Sequence, residues 1–144
     1  AKRFGATHTA ETVEEAGALV RELTWGAMAD VVVITVGVMT GGLLAPAMSL
    51  LGKGGTCVQV SVGDPAETAV ELSLIDLTSM RKTITGSWYG NANPRSDIPL
   101  LLRMYMEGKL LLDEMITRTY TLDDINVGFE DMRRAESVRG MILF

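Results

Sequence analysis

Asp30-Val31-Val32-Val33-Ile34-Thr35-Val36-Gly37 and, further along, Thr56-Cys57-Val58-Gln59-Val60-Ser61-Val62 decide how this chain folds. Both runs are rich in β-branched residues, and the first does not alternate with polar residues as a half-exposed strand would. Continuous apolar runs of this kind suit parallel strands covered on both faces. Between them, Thr40 is placed to cap a helix through Leu43, Leu44, Met48 and Leu51 that ends at Gly52, with Pro46 tightening or kinking its first turns. Lys53-Gly54-Gly55 reads as a turn, and Gly63-Asp64-Pro65 ends the second strand. Asp30 to Val62 therefore fits a right-handed strand-helix-strand crossover of about thirty residues. The expected fold class is α/β with a mainly parallel sheet.

Upstream, Val13, Ala16, Leu19, Val20 and Leu23 recur at helical spacing, while Glu14, Glu15, Arg21 and Glu22 lie on the other side, so Thr12 to Leu23 is expected to be an amphipathic helix. Downstream, Glu71 to Met80 reads as a small strand and a helical turn, and Thr83-Ile84-Thr85-Gly86 as a third strand. After the polar turn Gly90 to Pro94, Asn93 caps and Pro94 opens a helix to Glu107, and Gly108 follows where a left-handed residue belongs. Met115 to Tyr120 alternates like an edge strand, and Thr121-Leu122-Asp123-Asp124 approximates a capping box for a helix through Met132. A last strand spans Val138 to Phe144.

Composition narrows the function. The chain is 47% hydrophobic and 22% charged, which suits a packed globular protein and not a disordered one. Its net charge of -5, with no basic cluster larger than Arg81-Lys82 or Arg133-Arg134, argues against nucleic acid and anionic membranes as partners. The longest apolar run, Val31 to Val38, is too short and too interrupted to span a bilayer. The opening Ala1-Lys2-Arg3-Phe4-Gly5 has neither an initiator Met nor a following apolar segment, so no signal peptide is expected. The single Cys57 excludes an internal disulfide and points to a reducing, cytoplasmic setting. It is expected to be a core thiol, and the nine Met residues to fill core space.

Several segments resemble, in order, the C-terminal part of the zinc-type medium-chain alcohol dehydrogenases. Phe4-Gly5-Ala6-Thr7-His8 resembles a family segment just beyond the acid that holds the NAD ribose. Asp30 to Gly37 and Gly55 to Gly63 resemble the fourth and fifth strands of the cofactor domain. Gly86-Ser87-Trp88-Tyr89-Gly90 sits where the family has three cofactor-lining residues between glycines, and Gly128-Phe129-Glu130-Asp131-Met132 through Ser137-Val138-Arg139-Gly140 resembles its C-terminus. Asn93-Pro94-Arg95-Ser96-Asp97-Ile98-Pro99 and Leu112-Asp113-Glu114 further resemble the actinobacterial nicotinoprotein, nitroso-dye-dependent subgroup.

The resemblance implies a partial doubly wound sheet without its first strands. Residues 1–86 would come from the NAD-binding domain, and residues 87–144 would return to the catalytic domain. It places Thr35, Val36 and Gly37 beside the adenosine, and Val60, Ser61 and Val62 on the nicotinamide side, with Ser61 where the family has Gly. Ser87, Trp88 and Tyr89 would offer backbone groups to the carboxamide, and Arg139 would meet the pyrophosphate through its fork of donors. The Gly-rich phosphate turn is absent from this sequence. Cys57 and His8 are the only Cys and His, both at non-ligand positions, so zinc would be held only in an intact enzyme. There the metal would activate an alcohol or aldehyde oxygen and hydride would pass to the nicotinamide. The chain alone is expected to be inactive. A strand near Ala6 to Ala10 would lose its neighbour, and Asp30 to Val36 would become an apolar edge through which the isolated chain dimerises, swaps elements or rearranges. Two alternatives stand beside this: a free-standing interaction or dimerisation module, and a zinc-free quinone-reductase-like relative.

Overall fold

The computed structural model describes residues 1–144. Two compact units divide at Ala92/Asn93. The first runs α1 (Val13–Leu23), β1 (Ala29–Ile34), α2 (Leu44–Ser49), β2 (Leu51–Gln59), α3 (Leu74–Ser79) and β3 (Thr83–Gly86). Its sheet has the order β1-β2-β3 and is parallel throughout, which bears out the α/β reading.

Local chemistry sets most of these limits. Thr12 caps α1 by accepting from the Glu15 N–H, and the Ser73 hydroxyl does the same for Asp76 at the start of α3. Thr40 makes no such bond. Instead the Glu67 carboxylate accepts from the Gly41 N–H at 2.7 Å, at the short 3-10 turn Gly41–Leu43 that leads into α2. A side chain from far along the sequence has taken the role expected of a neighbour. The expected turn at Lys53 to Gly55 survives as an irregularity within β2, where the register jumps from Ala29↔Leu51 to Val31↔Thr56 and Gly54 takes φ +79°. Residues 6–10 form no strand, and neither do residues 71–73.

Register sorts the sheet into two faces. Val32, Cys57 and Ile84 lie in one row, and with Ile34 they meet α2 and its flanks, so that Ile34, Met39, Leu44, Ala47, Met48, Leu51 and Cys57 form the core. Val31↔Thr56↔Thr83 and Val33↔Val58↔Thr85 are the rows of the opposite face. Val31 and Val33 remain 57% and 51% exposed there. The expectation of a strand covered on both faces is therefore corrected for β1. It is the sheet edge, and only the face that carries Val32 and Ile34 is packed.

The second unit contains α4 (Pro94–Met106), β4 (Ile116–Tyr120), α5 (Ile125–Arg133) and β5 (Arg139–Ile142). Asn93 caps α4 by accepting from the Arg95 N–H, Pro94 is its first residue, and Gly108 follows it at φ +69°. Thr121 donates to the Asp124 carboxylate at 2.7 Å, which tightens the turn before α5 without capping the helix itself. β4 and β5 pair in parallel. Asp131, a buried carboxylate, lies in α5.

Candidate functional site

β2 and β3 stop side by side at Gln59 and Gly86, and the backbone beyond them opens into a cleft of about 410 Å³. Gln59, Val60, Ser61, Val62, Gly63, Gly86, Ser87, Trp88 and Asn91 line it. This volume lies within the range common for small-molecule sites, roughly 300–1,000 Å³.

Hydrogen bonds fix the floor and one wall. The Ile34 carbonyl, at the end of β1, accepts from the Val60 N–H at 3.3 Å and from the Ser61 hydroxyl at 3.2 Å. Val62 accepts from the Met39 N–H at 3.2 Å, and an isolated parallel bridge joins Met39 to Gly63. A Cβ at Gly63 would lie 2.7 Å from the Met39 carbonyl oxygen, so only glycine fits there. The N–H groups of Ser61 and Val62 donate to no protein acceptor. Both residues line the cleft.

The other wall is an aromatic turn. Ser87 donates its N–H to the Gln59 carbonyl at 2.9 Å, which ties the turn to β2. Trp88 donates its N–H to the Asn91 side chain at 3.3 Å and meets Tyr89 edge to face at 5.1 Å between ring centroids. Tyr89, Gly90 and Asn91 take φ of +48°, +70° and +52° in succession. A left-handed conformation is costly for a bulky residue such as Tyr89, and strain of this kind concentrates at ligand clamps and switch segments.

Five of the ten residues singled out from sequence, Val60, Ser61, Val62, Ser87 and Trp88, therefore share one cleft. Tyr89 is 85% exposed and reaches the cleft only through its contact with Trp88. Thr35, Val36 and Gly37 were expected to end β1, but the strand stops at Ile34. All three are exposed and outside the cleft, because the Ile34 carbonyl is the last group of that segment engaged by Val60 and Ser61. Arg139 is the first residue of β5 in the second unit. Gln59 and Asn91 were not anticipated. Gln59 is hidden in an apolar strand, whereas the adjacency of Gly90 and Asn91 was a signal for a left-handed turn that could carry a ligand-facing amide.

No group of three or more His, Cys, Asp and Glu comes together to hold a metal ion. His8 is exposed and hydrogen-bonds to the Thr7 hydroxyl, and Cys57 is fully buried, with its thiol pushed above its ordinary range by burial. These residues do not fit zinc.

A parallel sheet whose carboxyl edge opens into a cleft with free backbone donors has the architecture of the doubly wound α/β class. The chain belongs to the zinc-binding dehydrogenase family, whose model matches residues 1–107. It is 42% identical over 143 residues to the NDMA-dependent alcohol dehydrogenase of Amycolatopsis methanolica, covering 99% of this chain and 38% of that protein. It is also 42% identical over 144 residues to alcohol dehydrogenase B of Mycobacterium tuberculosis, again 38% of that protein's length. Among solved structures, the benzyl alcohol dehydrogenase of Acinetobacter calcoaceticus superposes with a TM-score of 0.82 at 28% identity, over 98% of this chain and 38% of that one. The chain thus spans about two-fifths of the length of these relatives and corresponds to their C-terminal part.

Proposed function

We propose that this chain lines the cofactor site of an NAD-dependent, zinc-assisted oxidoreductase of small alcohols or aldehydes in the cytoplasm, and does not turn over substrate alone. Residues 1–86 belong to the cofactor domain in this reading, and residues 87–144 return toward the catalytic domain. The observation that carries it is the convergence of Val60, Ser61, Val62, Ser87 and Trp88 on one cleft at the carboxyl edge of the sheet. Such edges are where α/β sheets bind nucleotides.

The free N–H groups of Ser61 and Val62 suit the carboxamide oxygen of a nicotinamide, and Trp88 supplies a flat apolar wall. Arg139 takes the pyrophosphate. When bound, the cofactor supplies the hydride acceptor and this chain supplies its orientation. Zinc would have to be held by residues outside this chain, where it would supply polarisation of the substrate oxygen.

Titration of the 144-residue chain with NAD⁺, followed through its backbone amide NMR signals, tests the reading. Weak, saturable shifts confined to residues 59–63, 86–91 and the neighbourhood of Arg139 are expected. No localised shift at millimolar NAD⁺ would overturn the cofactor role. Submicromolar affinity would overturn the view that binding needs a phosphate turn this chain does not have.

One observation favours a second reading. Val31 and Val33 are more than half exposed on an unpaired sheet edge, which suits a self-association or interaction module.

A further inference from the structure

The second unit buries a single charged side chain, and it belongs to no site described above. Asp131 is 7% exposed. Its carboxylate accepts from the Arg118 guanidinium and, at 2.8 Å, from the Tyr120 hydroxyl. Both donors lie on β4, so a carboxylate from α5 grips the strand that pairs with β5. Arg118 also reaches Glu136 at 3.3 Å, just before β5. Burying a carboxylate is costly unless its partners are in place, so the grip defines one arrangement of strand and helix.

The Tyr120 ring extends that grip to β5. It lies between two glycines: a Cβ at Gly140 would come within 2.7 Å of its Cε2, and one at Gly128 within 3.3 Å of its Cδ2. The ring therefore bears directly on the β5 backbone next to Arg139. On the other side of Arg139, the Val138 N–H donates to the Thr117 hydroxyl at 3.0 Å. Thr117 is the extra residue of a bulge, since the register steps from Ile116↔Arg139 to Arg118↔Gly140. Bulges re-aim side chains and are common beside functional sites.

Arg139 itself is left free. Arg118, Arg133 and Arg134 each pair with a carboxylate, whereas Arg139 pairs with none and borders a hollow of about 320 Å³ with Tyr120, Phe129, Met132, Val138 and Ile142.

We propose that Asp131, acting through Tyr120, and Thr117, acting through Val138, are positioning residues that aim Arg139 at a phosphate group. This rests on the cofactor reading of Arg139 given above. Asp131, Tyr120 and Thr117 touch no cofactor in this scheme; Tyr120 bears on Gly140 and Thr117 holds the Val138 N–H, the two residues that flank the arginine.

The test uses the whole chain, with NAD⁺ as one probe and nicotinamide, which has no phosphate, as the other. Asp131→Asn and Tyr120→Phe are each expected to raise the NAD⁺ concentration at half-saturation about three- to tenfold and to leave the nicotinamide response unchanged, with Arg139→Ala at least as severe. In the Arg139→Ala background the Asp131→Asn effect should vanish. If Arg139→Ala leaves NAD⁺ binding unaltered, the cofactor reading of Arg139 fails and the inference falls with it. If Arg139→Ala weakens binding while Asp131→Asn and Tyr120→Phe do not, positioning alone is overturned. Full persistence of the Asp131→Asn effect without Arg139 overturns it as well. Should Asp131→Asn not fold, Tyr120→Phe decides, because it keeps the ring between the glycines and removes only the hydroxyl.

Discussion

Ser61 donates its hydroxyl to the Ile34 carbonyl at 3.2 Å, which joins the end of one strand to the loop that follows the next. The resemblance places a glycine at this position, and glycine cannot make the bond. Ser61→Gly should lower the stability of the first unit by about 1 kcal/mol, the usual net value of such a bond, in urea unfolding. Unchanged stability would mean that the Val60 N–H alone holds that carbonyl.

Lys82 is a second long-range tie. Its ammonium, on a side chain only 4% exposed, lies 2.8 Å from the Asp76 carboxylate and donates to the Met48 carbonyl at 2.9 Å. Asp76→Ala leaves that charge with one neutral partner and should cost about 2 kcal/mol, whereas Lys82→Met removes the charge and should cost about 1 kcal/mol. Chemical denaturation of both variants checks the order, and a milder Asp76→Ala would contradict it.

Cys57 is fully buried in the first unit's core and its thiol titrates above its ordinary range because of burial. A raised pKa means that the folded state favours the protonated thiol, so this contribution to stability is intact at neutral pH and fades as pH rises through the raised value. In native buffer a thiol reagent should label Cys57 only as fast as the unit opens, and at the ordinary solution rate in denaturant. Rapid native labelling would show that the core is not closed around it.

Asp131 gives the second unit an acid limb. Its carboxyl titrates below the ordinary range, first because it accepts the Tyr120 hydroxyl and further because of Arg118, with desolvation opposing both. A depressed value means that stability is present above the ordinary carboxylate range and is lost as pH falls through the depressed one. Thermal melts of the chain in increasingly acid buffer should show a loss that Asp131→Asn lacks. An identical acid limb in the variant would assign the loss to other carboxylates.

The β1 edge predicts self-association of the purified chain. Val33→Lys puts a charge on the exposed row without touching the packed face, and charged edges resist pairing. Sedimentation should show a larger species for the unmodified chain that this substitution disperses. A monomer in both cases would remove the edge as a partner surface.

The sequence was most legible where short-range chemistry decides. Asn93, Pro94 and Gly108 frame α4 as local capping rules require, and Thr83 to Gly86 forms β3 where β-branched residues meet a glycine. It was least legible where a distant residue intervenes. Nothing near Thr40 announces that Glu67 will take its place at Gly41, and nothing in the apolar run from Asp30 to Gly37 says which face stays bare. That depends on which elements lie on either side of the sheet. The cleft was half legible: the resemblance pointed to Val60 through Val62 and to Ser87 and Trp88, which share it, and assigned Thr35 through Gly37 to the adenosine side, while periodicity could not say that β1 stops at Ile34. The burial of Asp131 was not legible at all, since it depends on donors from β4 and not on its neighbours in the helix.

Tyr120 pressed between Gly128 and Gly140 has an implication for how this segment varies among descendants. The three positions share one fixed volume. A lineage that gains a side chain at 140 must shrink residue 120 in compensation, and one that keeps tyrosine keeps both glycines. Substitutions at these sites should therefore travel together, as a linked set spread over a strand, a helix and a second strand, while their sequence neighbours drift independently.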